Sequence, residues 1–349
     1  MKIGIVGLPG SGKTTVFNAL TGRKAEVSGY TGGKREPNLA VVSVPDDRIE
    51  KLADRYHPKK VTPAQITYVD VAGEVSVREE KGSALEETLR HLRPADALLI
   101  VLRNFEYPGE PPDPQTEIEA LDAEFVLTDL ISVEKRLERL EKDASKGKKS
   151  DPMELELLRR ARDLLNAGTP LRSDTEIARS PLLKGYAFLS AKPCIAVLNS
   201  GDDSDMGTVS LSLPADVPVV EVKGRLEMEL AQLSPEEADV FRQDFALDMP
   251  ATMRIIQESY RLLGLISFFT VGEDEVRAWT IPTGTQAQKA AGVIHSDIEK
   301  GFIRAEVISC DDLLASRSYA DAQRAGKVRL EGKEYPVRDG DVINFRFNV

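Results

Sequence analysis

The sequence predicts an α/β protein with a parallel-type sheet, an inserted α-helical hairpin and a C-terminal α+β domain. Apolar runs of buried-strand length recur between helical stretches, at residues 2–6, 65–71, 97–102 and 194–198. Runs that are apolar on both faces indicate a parallel sheet covered by helices on both sides. Beyond Gly264 the pattern changes to alternating strands, which indicates a separate unit that is large enough to fold.

The inserted segment, residues 114–183, carries two helical patterns joined by a short polar turn. Apolar residues recur at helical spacing from 118 to 140 and again from 153 to 165. The turn between them contains Gly147 and Pro152, two residues that end or begin helices. This pattern predicts an antiparallel coiled-coil hairpin, which is either a solvated projection or a docking arm. The sheet domain then comprises residues 1–113 and 184–262, and the C-terminal domain residues 263–349.

Composition restricts the class of protein. Of the 349 residues 41% are apolar and 30% charged, which is ordinary for a globular protein with a core. The net charge of −11 argues against general attraction to nucleic acid, so RNA contact would need a local basic patch. Cys194 and Cys310 are expected to be reduced thiols. No membrane span or signal peptide is expected, and the predicted location is cytoplasmic.

The loop after the first strand has the spacing of a phosphate-binding loop. Residues 7–14 read Gly-Leu-Pro-Gly-Ser-Gly-Lys-Thr, with a strand before and a helix after. In G-x-x-x-x-G-K-[ST], main-chain N–H groups and the helix N-terminus surround phosphate oxygens, and the lysine contacts the β- and γ-phosphates. The threonine hydroxyl ligates Mg²⁺. The predicted phosphate-binding residues are Gly7, Gly10, Ser11, Gly12, Lys13, Thr14 and Thr15.

A second acidic motif follows the buried strand at 65–71. Asp70-Val-Ala-Gly73 has the form D-x-x-G, in which the aspartate supports the Mg²⁺ ion and the glycine N–H contacts the γ-phosphate. We therefore predict Thr14 and Asp70 as the metal site. The predicted catalytic set is Lys13, Thr14, Asp70 and Gly73, acting by electrostatic stabilisation of the transferring phosphoryl group.

A candidate base-recognition motif follows the strand at 194–198. Asn199 and Asp202 have the spacing of N-K-x-D, but Ser200 replaces the lysine. A carboxylate at Asp202 could accept two N–H bonds from guanine, whereas adenine offers no such pair of donors. The alternative is an ordinary loop rich in Asn, Gly and Asp. The predicted ligand is a purine nucleotide, ATP or GTP, with Mg²⁺ as cofactor.

These residues together resemble the Obg-like ATPases, also called the YchF family. The resemblance covers essentially the whole chain and is most specific near the C-terminus, in Glu-Val-Arg-Ala-Trp-Thr at 275–280 and the segments 290–306 and 338–349. It implies a nucleotide-binding G domain, an inserted coiled-coil hairpin and a C-terminal TGS domain, which is β-grasp-like. It also implies slow ATP or GTP hydrolysis and contact with the ribosome through the hairpin or the TGS domain.

The chain departs from the pattern of this family at several positions. Gly10 stands where members usually carry an asparagine that is associated with a potassium site. Lys34 falls where a switch threonine is usual, with Thr31 three residues earlier, and Glu74 replaces an apolar residue. The sequence therefore leaves two functions open. The first is a ribosome-associated NTPase that regulates translation or the stress response; the second is a nucleotide-binding adaptor with little or no hydrolysis.

Basic residues of the C-terminal domain form a candidate contact surface for phosphate backbones. Either they form a real patch or neighbouring carboxylates neutralise them, in which case partner contact would move to the hairpin around residues 146–149. These cations are Lys289, Lys300, Arg304, Arg324, Lys327 and Arg329.

Overall fold

A computed structural model describes most of the chain: residues 1–22, 37–71, 88–107, 109–149, 151–204, 207, 209–234, 237 and 250–348. By their internal contacts the residues form two compact units. The first unit comprises Met1–Ala40 and Thr67–Ile255, and the second comprises Val41–Ile66 and Ile256–Val349.

The first unit is built on a sheet with strand order β2-β4-β1-β5-β6-β7. Its strands are β1 (Lys2–Val6), β2 (Asn38–Ser43), β4 (Gln65–Asp70), β5 (Ala97–Asn104), β6 (Cys194–Ser200) and β7 (Val219–Val222). Residues 41–43 of β2 and 65–66 of β4 belong to the second unit by their contacts. The pairs β1–β4, β1–β5, β5–β6 and β6–β7 are parallel. Every residue of β5 and β6 is buried, because the central strands are covered on both faces. The predicted parallel α/β fold is therefore confirmed.

The helices of the first unit include a long antiparallel pair. Helices span Lys13–Thr21, Pro114–Ser145, Pro152–Asn166, Thr175–Arg179, Gly224–Leu230 and Ala251–Leu262, the last of which extends into the second unit. Asp113 and Asp151 cap the two hairpin helices by accepting bonds from main-chain N–H groups. Apolar residues of both helices, among them Val133, Leu137 and Leu158, form one buried cluster. The predicted helical hairpin is present.

A buried carboxylate fixes the long helix to the segment that precedes strand β6. Asp129 is fully buried and accepts hydrogen bonds from Leu189 N at 3.1 Å, Ser190 N at 2.7 Å and Ser190 Oγ at 2.7 Å. These residues lie just before β6. Burial raises the pKa of Asp129, and the bonds from Ser190 and Leu189 partly offset this effect.

The second unit is an α+β arrangement with strand order β11-β10-β12-β8-β9-β3. Its strands are β3 (Lys60–Thr62), β8 (Leu265–Val271), β9 (Glu275–Pro282), β10 (Phe302–Ser309), β11 (Arg329–Glu331) and β12 (Asp341–Phe347). Its helices span Asp47–Tyr56, Ala287–Ile294, Ser296–Lys300, Cys310–Ala315 and Tyr319–Arg324. Phe268, Ile281, Ala290, Val307 and Phe345 are part of its buried core. The predicted C-terminal α+β domain is present.

The second unit also includes residues 41–66, which the sequence analysis assigned to the sheet domain. Strand β3 pairs in parallel with β9. Arg55 donates to the main-chain oxygens of Leu313 (2.7 Å), Leu314 (3.0 Å) and Ser316 (2.5 Å) at the end of the helix Cys310–Ala315. Sequence patterns do not report such distant pairings, because each segment reads as an ordinary strand or helix. The division into three domains stays a prediction.

Two further expectations concern cysteines and membranes. Cys194 and Cys310 are buried free thiols, as expected, and burial raises the pKa of each to about 11. Within the part of the chain that the structure describes, no helix is long and apolar enough to cross a membrane.

Replacing Arg55 tests its role in the second unit. Arg55→Ala should lower the free energy of unfolding of this unit by about 2 kcal/mol, because three carbonyl groups lose charge-assisted bonds. Urea unfolding followed by the fluorescence of Trp279, the only tryptophan, measures this change. Arg317→Ala, at an exposed position of the same unit, should change it by less than about 0.5 kcal/mol. Equal effects of the two substitutions would contradict the assignment.

Candidate functional site

The loop between β1 and the helix Lys13–Thr21 depends on glycine at three positions. Gly10 and Gly12 have φ values of 77° and 87°, in the left-handed region that favours glycine. A Cβ atom on Gly7 would lie 2.4 Å from Val101 O, and one on Gly12 would lie 2.2 Å from Asn199 Nδ2. The glycines of the motif are therefore required both by backbone conformation and by close packing.

The N-terminus of this helix is open to an anion. Gly12 is its N-cap and provides no side-chain hydrogen bond, so the first N–H groups are left for a ligand. Lys13 Nζ donates to Gly7 O at 3.1 Å and Leu8 O at 3.0 Å, which places the ammonium group over the loop. Ser11 is fully buried, its N–H donates to Leu8 O at 3.2 Å and its main-chain oxygen accepts from Asn199, so its predicted phosphate contact stays a prediction. Thr15 follows on the first turn of the helix.

Asp70 and Thr14 form a site that fits a divalent cation. Asp70 is 1% exposed, and its Oδ2 accepts from Thr14 Oγ1 at 3.3 Å and from Asn38 Nδ2 at 3.4 Å. Its Oδ1 is buried without a hydrogen-bond partner among the described residues. Burial raises the pKa of Asp70, while Asn38, Lys13 and Thr14 oppose this shift. A carboxylate beside a hydroxyl can supply oxygen ligands to Mg²⁺, which takes its remaining ligands from water and substrate phosphates.

The Asn199 side chain joins the phosphate loop to the end of β7. It is 4% exposed, and its Nδ2 donates to Ser11 O at 2.9 Å. Its Oδ1 accepts from Gly224 N at 3.1 Å, and a Cβ on Gly224 would lie 2.6 Å from this oxygen. Asn199 therefore positions the loop, and its predicted contact with the base stays a prediction.

The loop that contains Asp202 is held by Glu221 of β7 and by Lys223, the residue that follows this strand. Lys223 Nζ donates to Asp202 O at 2.7 Å, and the Asp202 side chain is exposed. Glu221 Oε1 accepts from Ser200 Oγ at 2.5 Å, and Glu221 Oε2 accepts from Gly207 N at 2.6 Å. Ser200, which replaces the lysine of N-K-x-D, is thus part of a fixed network.

Sequence reasoning missed Asn38, Glu221 and Lys223, because their partners lie far away along the chain. The motif Glu36-Pro-Asn38, which carried part of the family resemblance, was the one available signal for Asn38. Gly73, which was predicted to contact the γ-phosphate, lies outside the described residues. So do Thr31, Lys34 and Glu74. The structure therefore brings together Lys13, Thr14, Asp70 and Asn199 but leaves the switch predictions as predictions.

A glycine-rich loop opening a helix, with a buried aspartate on a neighbouring parallel strand, defines the class of P-loop nucleotide-binding proteins. Comparisons with known proteins support this class. A family model described as "50S ribosome-binding GTPase" matches residues 2–151. A model of the YchF C-terminal region, described as a protein of unknown function, matches residues 265–348.

Full-length relatives specify the family. The chain is 40% identical over 365 residues to the "Ribosome-binding ATPase YchF" of Bacillus subtilis, covering 100% of both chains. It is 41% identical over 361 residues to the protein of the same name from Pasteurella multocida, covering 100% of this chain and 99% of the relative. The chain therefore belongs to the YchF family, as the sequence analysis predicted.

Two solved structures have the same fold. The structure of the Schizosaccharomyces pombe YchF GTPase matches with a TM-score of 0.84 and 30% identity, covering 99% of this chain and 97% of that one. A GTP-binding protein from Pyrococcus horikoshii matches with a TM-score of 0.61 and 18% identity, over 100% of both chains. At that identity the second match supports the fold alone.

The buried charge of Asp70 predicts a stability difference that depends on pH. Asp70→Asn should raise the thermal midpoint of the ligand-free protein near pH 7 by about 2–4 °C, because it removes a desolvated carboxylate. The folded-state pKa of Asp70 lies above its unfolded value, so its contribution to wild-type stability is lost as pH rises through the folded pKa. The gain should therefore shrink as the pH falls and wild-type Asp70 becomes protonated.

Calorimetric scans of both proteins across this pH range measure the difference. Asp163→Asn is the control, since the Asp163 side chain is 70% exposed and should give no pH-dependent gain. A gain for Asp70→Asn that persists undiminished in acid would contradict the assignment of the buried charge.

Proposed function

We propose that this chain is a Mg²⁺-dependent purine nucleoside triphosphatase that hydrolyses ATP or GTP slowly and contacts the ribosome. The observation that carries the proposal is the hydrogen bond of 3.3 Å between Thr14 Oγ1 and the buried Asp70 carboxylate, beside the open helix N-terminus. Relatives named ribosome-binding ATPases, at about 40% identity over the full length, support the same activity. The cytoplasm is the proposed location, because ribosomes are the proposed partner.

In this proposal the protein acts by positioning and electrostatics. The main-chain N–H groups at the N-terminus of the helix that begins at Lys13 bind the phosphates, and Lys13 adds a point charge on the β- and γ-phosphoryl groups. Thr14 and Asp70 would hold the Mg²⁺, which neutralises charge on the phosphoryl oxygens when bound. Asn199 keeps the loop in place through Ser11 O while charge develops.

We propose ATP as the preferred substrate and GTP as the alternative. The curated relatives are named ATPases, which favours adenine. Asp202 retains the spacing of the guanine motif, but the lysine that packs over guanine is replaced by Ser200. Glu221 and Lys223 fix the loop that would contact either base.

A nucleotide titration with a P-loop variant tests the proposal. Lys13→Ala should lose at least about tenfold in affinity for ATP and GTP, because a charge on the β- and γ-phosphates is removed. Calorimetric titration with both triphosphates and diphosphates, with and without Mg²⁺, measures this. Lys59→Ala, at an exposed position of the second unit, should bind like wild type.

Three outcomes of this titration test the phosphate site, the choice of nucleotide and the alternative adaptor function. If Lys13→Ala binds triphosphates as wild type does, the phosphate site is wrong. Tenfold tighter binding of GTP than ATP, about 1.4 kcal/mol, would make GTP the substrate. Tight binding with no turnover in the presence of ribosomes would instead favour the adaptor function.

Ion pairing argues against the C-terminal cations as the ribosome contact. Five of the six predicted cations have a carboxylate within 3.9 Å, namely Lys289, Lys300, Arg324, Lys327 and Arg329. Exposed pairs add little stability, but they neutralise the local positive charge that phosphate contact would need. These ion pairs favour the alternative in which carboxylates neutralise the basic residues and the hairpin makes the partner contact.

The hairpin tip keeps its positive charge. Lys142, Lys146, Lys148 and Lys149 lie within eight residues at the end of the long helix and are exposed. Lys148 pairs with Asp143 at 3.0 Å. The other three have no carboxylate within ion-pair distance in the part of the chain that the structure describes. We therefore assign the proposed ribosome contact to this tip.

Matched charge reversals distinguish the two surfaces. Lys146→Glu with Lys149→Glu should reduce ribosome co-sedimentation by at least about tenfold. The slope of the logarithm of binding against the logarithm of salt concentration should fall by roughly two, since each lysine that contacts phosphate releases counterions. Lys289→Glu with Lys300→Glu changes the net charge equally but should leave co-sedimentation nearly unchanged. If only the second pair reduces it, the contact lies in the C-terminal domain.

A further inference from the structure

A cavity of about 270 Å³ lies in the first unit, at the edge of the sheet opposite the phosphate loop. Its lining includes residues 93–96, which precede β5, and residues 191–193, which precede β6. The strands β1, β5 and β6 are parallel, and the phosphate loop follows the end of β1. Strand β6 has seven residues and spans roughly 20 Å, so this cavity is separate from the nucleotide site.

The cavity contains a buried lysine without a counterion. Lys192 is 9% exposed, and its Nζ donates to the main-chain oxygens of Arg93 at 2.9 Å and Ala95 at 2.5 Å. An ammonium group has three donors, so one N–H remains. Among the described residues no carboxylate lies within ion-pair distance of it. Burial lowers the pKa of Lys192, and the more distant carboxylates of Asp96 and Asp129 oppose this shift.

The guanidinium group of Arg93 provides further donors at this cavity. Its Nη1 donates to Tyr186 O at 3.2 Å and its Nη2 to Ser132 Oγ at 3.5 Å. A guanidinium has five N–H donors, so three remain for a ligand. In the part of the chain that the structure describes, this group also lacks a carboxylate within ion-pair distance. Its planar arrangement of donors suits the two oxygens of a carboxylate.

Acidic side chains do not neutralise these cations at close range. Asp96 is the acidic residue of the described lining; it is exposed, and its Oδ2 accepts from Lys2 N at 2.8 Å. Both oxygens of Asp129 accept main-chain hydrogen bonds from the segment before β6. The cations of the lining exceed the carboxylates even when Asp129 is counted, which favours an anionic ligand. These cations are Arg93, Lys184 and Lys192.

We propose that this cavity binds a small amphipathic carboxylate. The carboxylate group would contact the remaining N–H of Lys192 and the guanidinium of Arg93, which gives the buried ammonium a counterion. The apolar part would pack against Ile177, Leu183 and Phe188, which are buried and line the same cavity. The volume is close to the lower end of the range for small-molecule sites, so an acid of about six carbon atoms is the size that fits.

Calorimetric titrations of the full-length protein with hexanoate, hexanol and hexylamine, at constant ionic strength, test this inference. Hexanoate should bind at least about tenfold more tightly than hexanol, because only the acid pairs with the two cations. Hexylamine should not bind, since its ammonium group would meet like charges. Equal binding of the three compounds, or no binding of hexanoate, would overturn the inference.

Matched variants locate the ligand in this cavity. Ala178→Leu should abolish hexanoate binding, because the larger side chain fills the cavity, whereas Ala123→Leu, at an exposed position of the long helix, should bind like wild type. Lys192→Met should weaken hexanoate about tenfold and leave hexanol unchanged, because it removes the charge but keeps the length of the side chain. Arg93→Gln makes the same comparison if Lys192→Met does not fold. The inference is overturned if Ala178→Leu still binds hexanoate, or if the charge variants weaken hexanoate and hexanol equally.

Discussion

The Asn199 amide is the contact on which the geometry of the nucleotide site depends. It joins Ser11 O, in the phosphate loop, to Gly224 N, after the last strand of the sheet. Gly12 and Gly224 approach this amide so closely that any Cβ at either position would lie within 2.6 Å of it. The glycine of the motif is therefore fixed by a residue almost two hundred positions away as well as by its own backbone conformation. A loop held in this way presents its N–H groups before phosphate arrives, which lowers the cost of ordering on binding.

The buried Asp70 carboxylate destabilises the ligand-free protein, and a bound cation would relieve this effect. Placing it at the end of a buried strand removes it from water and raises its pKa, which costs stability in the absence of ligand. Thr14 and Asn38 satisfy one oxygen and leave the other without a partner in the described part of the chain. A metal-bound nucleotide would recover this cost, so binding and stability should be linked.

Local patterns predicted much of this site and fold, and distant contacts account for the remainder. The phosphate loop, Asp70 and the helical hairpin follow from spacing and periodicity over a few residues. The packing of residues 41–66 with the C-terminal strands depends on Arg55 meeting carbonyl groups more than 250 positions away. Likewise, whether Lys289 or Lys327 forms a basic surface depends on the carboxylates that the fold places beside them. Composition does not specify which carboxylate lies beside which lysine. The sequence therefore could not decide whether these cations form a basic surface or are neutralised.

The central claim is that phosphate and metal meet where Thr14 and Asp70 lie together. Anomalous diffraction from Mn²⁺, in crystals grown with a non-hydrolysable triphosphate analogue, measures the metal position directly. We expect one peak within about 2.1–2.3 Å of Thr14 Oγ1, with the Asp70 carboxylate bound to the ion or to one of its waters. A peak bound only by phosphate oxygens and away from both residues would contradict the account.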